Sequence, residues 1–191
     1  MIGRSILGLQ RGLMPKAIVL VLLTTGLLAA QQAAAPKEYA GEFEYSCGHV
    51  MQLAEATPED KLAWRPAPGI RSFGEVYMHI AGGNLMLLGL AGVKQPGGLE
   101  KAPDVPTIQK WEREITSKRD ILAWLQRGCD AVPSAWRAET VKSLDRAVDF
   151  FGKPRTVYGF YLRMIVHLNE HMGQLVAYAR MNGIRPPWAG E

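Results

Sequence analysis

A long helical pattern near the C-terminus constrains the fold of this chain more than any other feature. Between residues 156 and 182, apolar side chains and one histidine recur at alternating spacings of four and three residues. Such a spacing places them along one face of an α-helix, because the helix turns by about 100° per residue. Gly183 and the prolines at 186 and 187 prevent the helix from continuing. The face consists of Val157, Tyr161, Met164, Leu168, His171, Leu175 and Tyr178.

Three further amphipathic segments precede this helix, and no segment is convincing as a strand. Ser72 and Glu75 form a capping-box pattern at the start of the second predicted helix, and Thr107 is the expected N-cap of the third. Four long amphipathic helices can bury their apolar faces against one another, so the sequence predicts an all-α fold, a four-helix bundle. The three segments are residues 38–56, 72–91 and 107–128; residues 134–144 are expected to form a short helix and residues 145–154 a loop.

The N-terminal segment has the composition of an export signal. Arg4, Arg11 and Lys16 form a basic start, and residues 17–30 form an apolar run that ends in small residues. This is the pattern of a secretory signal peptide, and the run is shorter than the roughly 20 residues that a membrane-spanning helix needs. An uncleaved membrane anchor is the alternative. The predicted divisions are a signal peptide at residues 1–30, cleavage within residues 30–35 and one domain at residues 36–191.

Export changes the interpretation of the charges and of the cysteines. Without the three basic residues of the signal, 22 basic residues become 19 against 18 acidic ones. We therefore expect a periplasmic or extracellular domain with no nucleic-acid partner and no stable membrane span after cleavage. In such a compartment Cys47 and Cys129 can form a disulfide. Because Cys47 falls within a predicted helix and Cys129 at the end of another, we favour two buried, unbridged thiols.

Three histidines are the candidate metal ligands. His167 and His171 lie four residues apart on the predicted C-terminal helix, which places both imidazoles on one face. His79 lies beside the apolar stripe of the second helix, and Gly82 and Gly83 after it would leave space for an ion. Imidazoles that face a core need partners for their nitrogens. The alternatives to a metal are a hydrogen-bonded cluster of histidines and, for the pair alone, a chance spacing on the surface.

Four other residues border this candidate site. The motif His-x-x-Glu-His, which contains Glu170, matches the inverted zinc-protease motif, but too little chain follows it to supply a ligand from another helix. Glu170 is therefore expected either to orient an imidazole or to be solvated. Gln174 is expected to hydrogen-bond a ligand in the pocket. Tyr178 is expected either to line that pocket or to pack in the core, and His49 to lie at its rim or on the surface.

The order of several short motifs resembles that of the DinB-like (DinB/YfiT) metalloenzyme family. The resemblance extends over essentially the whole chain after the signal. The first set of motifs is residues 64–69 (WRPAPG), 72–75 (SFGE) and 79–81 (HIA); the second is residues 150–154 (FFGKP), 167–175 (HLNEHMGQL) and 182–187 (NGIRPP).

The resemblance implies a four-helix bundle, often a homodimer, that holds zinc or nickel through three histidines. Matched by position, these ligands are His79, His167 and His171. The family includes thiol-dependent transferases, although export would remove this chain from the cytoplasmic thiols that they use. We expect a metal-dependent hydrolase or thiol S-transferase that acts on a small molecule and activates water or a thiol. The alternatives are a metal- or small-ligand-binding protein without turnover and an interaction scaffold.

Overall fold

The computed structural model describes residues 37–190. The predicted signal peptide and its cleavage region lie outside the described residues. Within that range the domain is mostly helical, with one short hairpin. Its elements are helix α1 (37–56), a 3-10 turn (Glu59–Lys61), α2 (Phe73–Leu90), α3 (Val105–Glu114), α4 (Lys118–Ala138), α5 (Val141–Leu144), strands β1 (Ala147–Phe150) and β2 (Lys153–Thr156), and α6 (Val157–Met181).

The ends of α2 and α6 follow the rules of helix capping. Ser72 accepts a hydrogen bond from the backbone N–H of Glu75, and the Glu75 carboxylate accepts one from the N–H of Ser72. Thr156 caps α6 through the N–H of Gly159, and Gly183 takes the left-handed conformation after the helix, with φ of 71°. The boundaries predicted for these two helices are confirmed. They could be predicted because the residues that begin and end each helix act on the adjacent turn.

The predicted third helix is wrong in its boundaries. Asp104, not Thr107, caps α3, and its carboxylate accepts from the N–H of Thr107 at 2.9 Å. The chain then leaves the helix over residues 115–117, and Ser117 caps α4. The Lys118 ammonium, at the start of α4, donates to the backbone carbonyls of Glu55 and Thr57 at the C-terminal end of α1. A single helix was expected because the apolar spacing continues across the break.

Helix α4 continues well past Gly128, where the sequence predicted its end. A Cβ on Gly128 would lie 3.3 Å from the Cβ of Asn84, so this glycine permits close packing of α4 on α2. The longer helix also changes the position of Cys129, which lies within α4 rather than at its end. Cys129 and Cys47 form a disulfide, with their Cα atoms 5.8 Å apart. The prediction of unbridged thiols is therefore wrong.

A two-stranded antiparallel hairpin replaces part of the predicted loop before α6. Phe150 pairs with Lys153, and the two residues between them, Phe151 and Gly152, both have positive φ, at 52° and 79°. Positive φ at both central positions is typical of the tight hairpin turn that matches the twist of antiparallel strands. The strands are short and Pro154 lies in one of them, so no alternating pattern revealed them.

Helix α2 lies at the centre of the packing and contacts α3, α4 and α6. Most of its residues are buried, and α1, α4 and α6 each contribute one apolar face to the same core. The predicted face of α6 is buried at every position except His171, which is partly exposed. Among the described helices, none has the length and hydropathy of a membrane span. The core thus holds α2, with His79, against α6, with His167 and His171.

Candidate metal centre

The three predicted ligands, His79, His167 and His171, meet between α2 and α6, and we call them the histidine cluster. One ring nitrogen from each lies within 4.8 Å of those of the other two. The Nε2 atoms of His79 and His167 are 3.2 Å apart. Two nitrogens bound at about 2.05 Å to one tetrahedral zinc are separated by about 3.3 Å, so this pair already has the spacing of two ligands. A three-histidine site would need a His171 nitrogen at a similar spacing from both of these atoms.

Burial keeps two members of the histidine cluster uncharged. It lowers the pKa of His167 to about 3, and the neighbouring His171 and His79 lower it further. Burial also lowers the pKa of His171, although the hydrogen bond with Gln174 opposes this. A neutral imidazole is the form that binds a metal, because its free nitrogen carries a lone pair. His167 and His171 are therefore held in the form that binds a cation.

Glu112 and Arg71 hold His79 in one orientation. His79 donates from Nδ1 to one carboxylate oxygen of Glu112 at 2.8 Å, and Arg71 donates from Nε to the other oxygen at 2.9 Å. Burial alone would raise the pKa of Glu112, but its bonds to His79 and Arg71 outweigh burial and the pKa is lowered. The ionised carboxylate accepts the Nδ1 proton, so the lone pair of His79 lies on Nε2, inside the cluster.

A second chain of hydrogen bonds orients His171. Its Nδ1 lies 2.9 Å from the side-chain oxygen of Gln174, whose amide nitrogen donates to the Tyr178 hydroxyl at 2.7 Å. Tyr178 in turn donates to the backbone carbonyl of Arg71 at 3.1 Å. The Nε2 atom of His171 remains for a ligand. Both supporting chains end at Arg71, so the segment before α2 holds histidines from two different helices.

His167 differs from the other two in having no such support. Its Nδ1 is buried and has no hydrogen-bond partner within the described residues. Because the Nε2 lone pair of His79 faces it, the Nε2 of His167 must carry the shared proton when no ion is bound. A cation bound to both nitrogens would need the Nε2 lone pair of His167, so the proton of this neutral ring would have to move to Nδ1.

The glycines of α2 serve the packing around the cluster. A Cβ on Gly83 would come within 2.7 Å of the His167 ring, and one on Gly82 would come within 2.8 Å of Ile108 on α3. The sequence predicted that these glycines leave space over an ion. The structure shows instead that they make room for the His167 ring and for α3, which is how Glu112 reaches His79.

The remaining residues that the sequence singled out lie at different distances from the cluster. Gln174 contacts His171, and Tyr178 both lines this network and packs in the core. Glu170 lies on the exposed side of α6, with Arg163 at 3.8 Å as its ion-pair partner among the described residues. His49 stacks on Trp188 with ring centroids 4.3 Å apart, away from the other histidines.

Sequence reasoning missed Arg71 and Glu112. Arg71 lies in an irregular segment with no periodicity that could indicate its direction. Glu112 offered a signal, because it stands four residues after Ile108 on the buried side of a helix, where an unpaired carboxylate would be costly. The polar partners of a metal-binding histidine often lie on another element, and their pairing depends on the fold.

Two cavities open beside the cluster, and Arg71, Gln109 and Glu112 line both. The first, of about 150 Å³, is bounded by His79 and His167 and has largely apolar walls. The second is a wider cleft of about 610 Å³ with polar walls that include Arg113 and Gln174. The Arg71–Glu112 ion pair thus lies at the wall between them. A small molecule could approach the cluster from either side.

Comparison with known proteins agrees with this geometry. The model of the DinB superfamily matches residues 42–175, a range that includes every member of the histidine cluster. The chain belongs to the DinB superfamily. This DinB-superfamily chain is also similar to the crystal structure of a DinB-like protein from Bacillus cereus ATCC 10987, with a TM-score of 0.65 and 25% sequence identity. The similarity covers 78% of this chain and 93% of that one. A search of curated proteins finds no match.

Proposed function

We propose that this protein is a metal-dependent enzyme in which His79, His167 and His171 hold one divalent cation. The single observation that carries the proposal is the 3.2 Å approach of two imidazole nitrogens, with the third histidine oriented towards them. Bound by three neutral nitrogens, a divalent cation supplies Lewis acidity and at least one open coordination position, which lowers the pKa of water or of a thiol. Zinc and nickel are the favoured ions, since imidazole suits both.

The residues of the chain would each perform one task around that ion. Glu112 keeps the lone pair of His79 directed inwards, and Gln174 does the same for His171. Arg71 neutralises Glu112, so the carboxylate acts as an acceptor rather than as a competing ligand. The apolar wall formed by α2 and α3 excludes bulk water from one side, which strengthens electrostatic interactions within the site. These roles fit either a hydrolase or a thiol S-transferase.

We also propose that the protein is exported, with residues 1–30 as its signal peptide, and acts in the periplasm or outside the cell. The Cys47–Cys129 disulfide supports this proposal, because such bonds persist in oxidising compartments. The mass of the mature protein tests export, and a start between residues 31 and 36 is expected. Cys47 and Cys129 should react with an alkylating reagent only after their disulfide is reduced. An intact N-terminus with freely alkylated cysteines would contradict export.

A metal- or small-ligand-binding protein without turnover is the second candidate. The support for it is the closed hydrogen-bond network, in which Glu112, the buried acid beside the histidines, already accepts from His79 and Arg71. Glu170, the acid on the same helix, is exposed to solvent. A binder would keep the metal and the ligand affinity but show no chelator-sensitive reaction. We also propose a homodimer, which the family resemblance implies whether or not the protein is an enzyme, and sedimentation of the mature protein tests it.

Elemental analysis of the exported protein, purified without a histidine tag, is the decisive experiment. We expect about one equivalent of zinc or nickel per chain, lost on substitution of His79 by alanine. Screens for ester or amide hydrolysis and for thiol transfer, with and without chelator, would then separate an enzyme from a binder. A protein that carries no metal and takes up none from a zinc or nickel solution would refute the metal-site proposal.

A further inference from the structure

We propose that the cavity beside the histidine cluster binds a small monocarboxylate, with the charged end on Arg163 and the hydrocarbon part against the apolar wall. The inference rests on the proposed metal-dependent function and names the class of molecule that would reach that site.

The walls of the cavity determine the body of the ligand. Its volume of about 150 Å³ and its largely apolar surface fit a short hydrocarbon chain rather than a sugar or a peptide. His79 and His167 close one side, so a molecule that fills the cavity brings one end to the cluster. The apolar side chains of the wall are Met86, Leu87, Val105, Ile108 and Phe150.

The charged side chains in the same walls indicate which charge the other end of the ligand should carry. Glu112 is the one carboxylate in the lining, and both of its oxygens are already engaged, by His79 and by Arg71. Arg163 also lines the cavity, and its ion-pair partner among the described residues is the exposed Glu170, at 3.8 Å. Such a distant, solvated pair contributes little. In the metal-free protein, the charge that remains available to a ligand is therefore the single positive charge of Arg163.

One available guanidinium in an apolar wall balances one negative charge. A carboxylate accepts two parallel hydrogen bonds from such a group, whereas a doubly charged phosphate would leave part of its charge without a partner. Arg163 precedes His167 by one helical turn, which places their side chains about 5–6 Å apart at Cβ. A carboxylate on Arg163 would thus leave the following carbons of the ligand near the cluster.

Binding of hexanoate to the metal-free protein tests the proposal. Selective ¹³C labelling of the methionine methyl groups reports on the cavity through Met86, whose signal is identified by its loss in Met86→Leu. Hexanoate should shift this signal, and hexanamide, which has the same length and no charge, should bind at least about fivefold more weakly. Acetate should bind more weakly than hexanoate, because each buried CH₂ group contributes several-fold.

Two matched variants locate the charge. Arg163→Gln should weaken hexanoate binding about five- to tenfold, and Arg163→Lys should restore part of it. Arg155→Gln is the control, because Arg155 shares a neighbouring groove with Arg163 but does not line this cavity. Equal affinity for hexanoate and hexanamide, or equal effects of the two glutamine variants, would overturn the proposal.

The test is separate from that of the metal. Because it uses chelator-treated protein, carboxylate binding can succeed where the elemental analysis finds no metal, and it can fail in a protein that binds zinc fully. Both arginines are on the surface, and circular dichroism of each variant verifies that the helices are intact.

Discussion

Around the histidine cluster, α2 and α6 meet through imidazoles, whereas α6 meets α4, and α4 meets α1, through aromatic rings packed edge to face. The rings of Trp136 and Tyr161 are edge to face at 4.5 Å, and those of Phe43 and Trp136 lie 6.1 Å apart. The disulfide joins α1 to α4 in this second region, which we call the aromatic region. It needs no ligand to be stable, because apolar burial and a covalent bond hold it.

The difference between the regions separates stability from function. The histidine cluster keeps three imidazoles close together, one of them with a buried nitrogen that has no partner among the described residues, and this arrangement costs folding free energy. The aromatic region provides the stability that offsets the cost. Substitutions in the histidine cluster should therefore lower metal affinity. Substitutions in the aromatic region should lower the free energy of unfolding.

The largest effect is expected from His79→Ala. Removing one of three ligands should abolish stoichiometric metal binding, while the thermal midpoint of the metal-free protein changes by only a few degrees, because the core does not depend on the ion. Elemental analysis and thermal melts of the two proteins provide the measurement. His49→Ala is the control, since His49 stacks on Trp188 outside the cluster. Retention of a full equivalent of metal by His79→Ala would contradict the assignment.

The double variant Cys47→Ala, Cys129→Ala should destabilise the aromatic region. The cysteines are 82 residues apart, and the chain-entropy model gives a loss of about 4.5 kcal/mol in the free energy of unfolding for a loop of this size. Urea denaturation measures this loss. The metal content below the transition should stay at that of the wild type. A double variant as stable as the wild type, or one that folds but loses its metal, would contradict the assignment of stability to the aromatic region and of metal binding to the histidine cluster.

Acid should destabilise the metal-free protein through the cluster. The pKa of His167 is about 3 in the folded chain and about 6.5 when exposed, so the unfolded state binds more protons between these values. The stability contributed by neutral His167 is complete above about pH 6.5 and falls as the pH drops towards 3. The loss at pH 4 is about 3 kcal/mol.

Denaturation of the chelator-treated protein at pH 7 and at pH 4 measures this difference in the free energy of unfolding. In His167→Gln the difference between the two pH values should be smaller by about that amount, because glutamine does not titrate. If His167→Gln loses as much stability between pH 7 and pH 4 as the wild type, groups other than His167 cause the acid sensitivity.

A smaller effect is expected from Glu112→Gln. The amide can still contact His79 but no longer bears the charge that fixes its Nδ1 proton, so metal affinity should fall about 10- to 100-fold with the fold intact. Competition with a chelator of known affinity measures the change. Glu114→Gln is the matched control on the same helix, where Glu114 is exposed and pairs with Lys110 at 3.8 Å. Equal affinities of the two variants would show that Glu112 does not position His79.

Local signals in the sequence predicted much of the fold and part of the site. The capping box at Ser72 and the periodicity of α6 determined two helices correctly, since these signals act within one or two turns. The same periodicity brought His167 and His171 to one face. The sequence could not distinguish a glycine that ends a helix from one that permits close packing, so the extent of α4 and the disulfide at Cys129 were both predicted wrongly.

The sequence by itself determined the helical character of this protein, its membership of the DinB superfamily and the three histidines available to a metal. Only the tertiary structure decided which residues support them, how α3 separates from α4, and that Cys47 meets Cys129. The physical reason is the range of the interactions. Helix formation and capping act between residues a few positions apart, whereas the pairs His79–Glu112 and Cys47–Cys129 form between segments that only the packed core brings together.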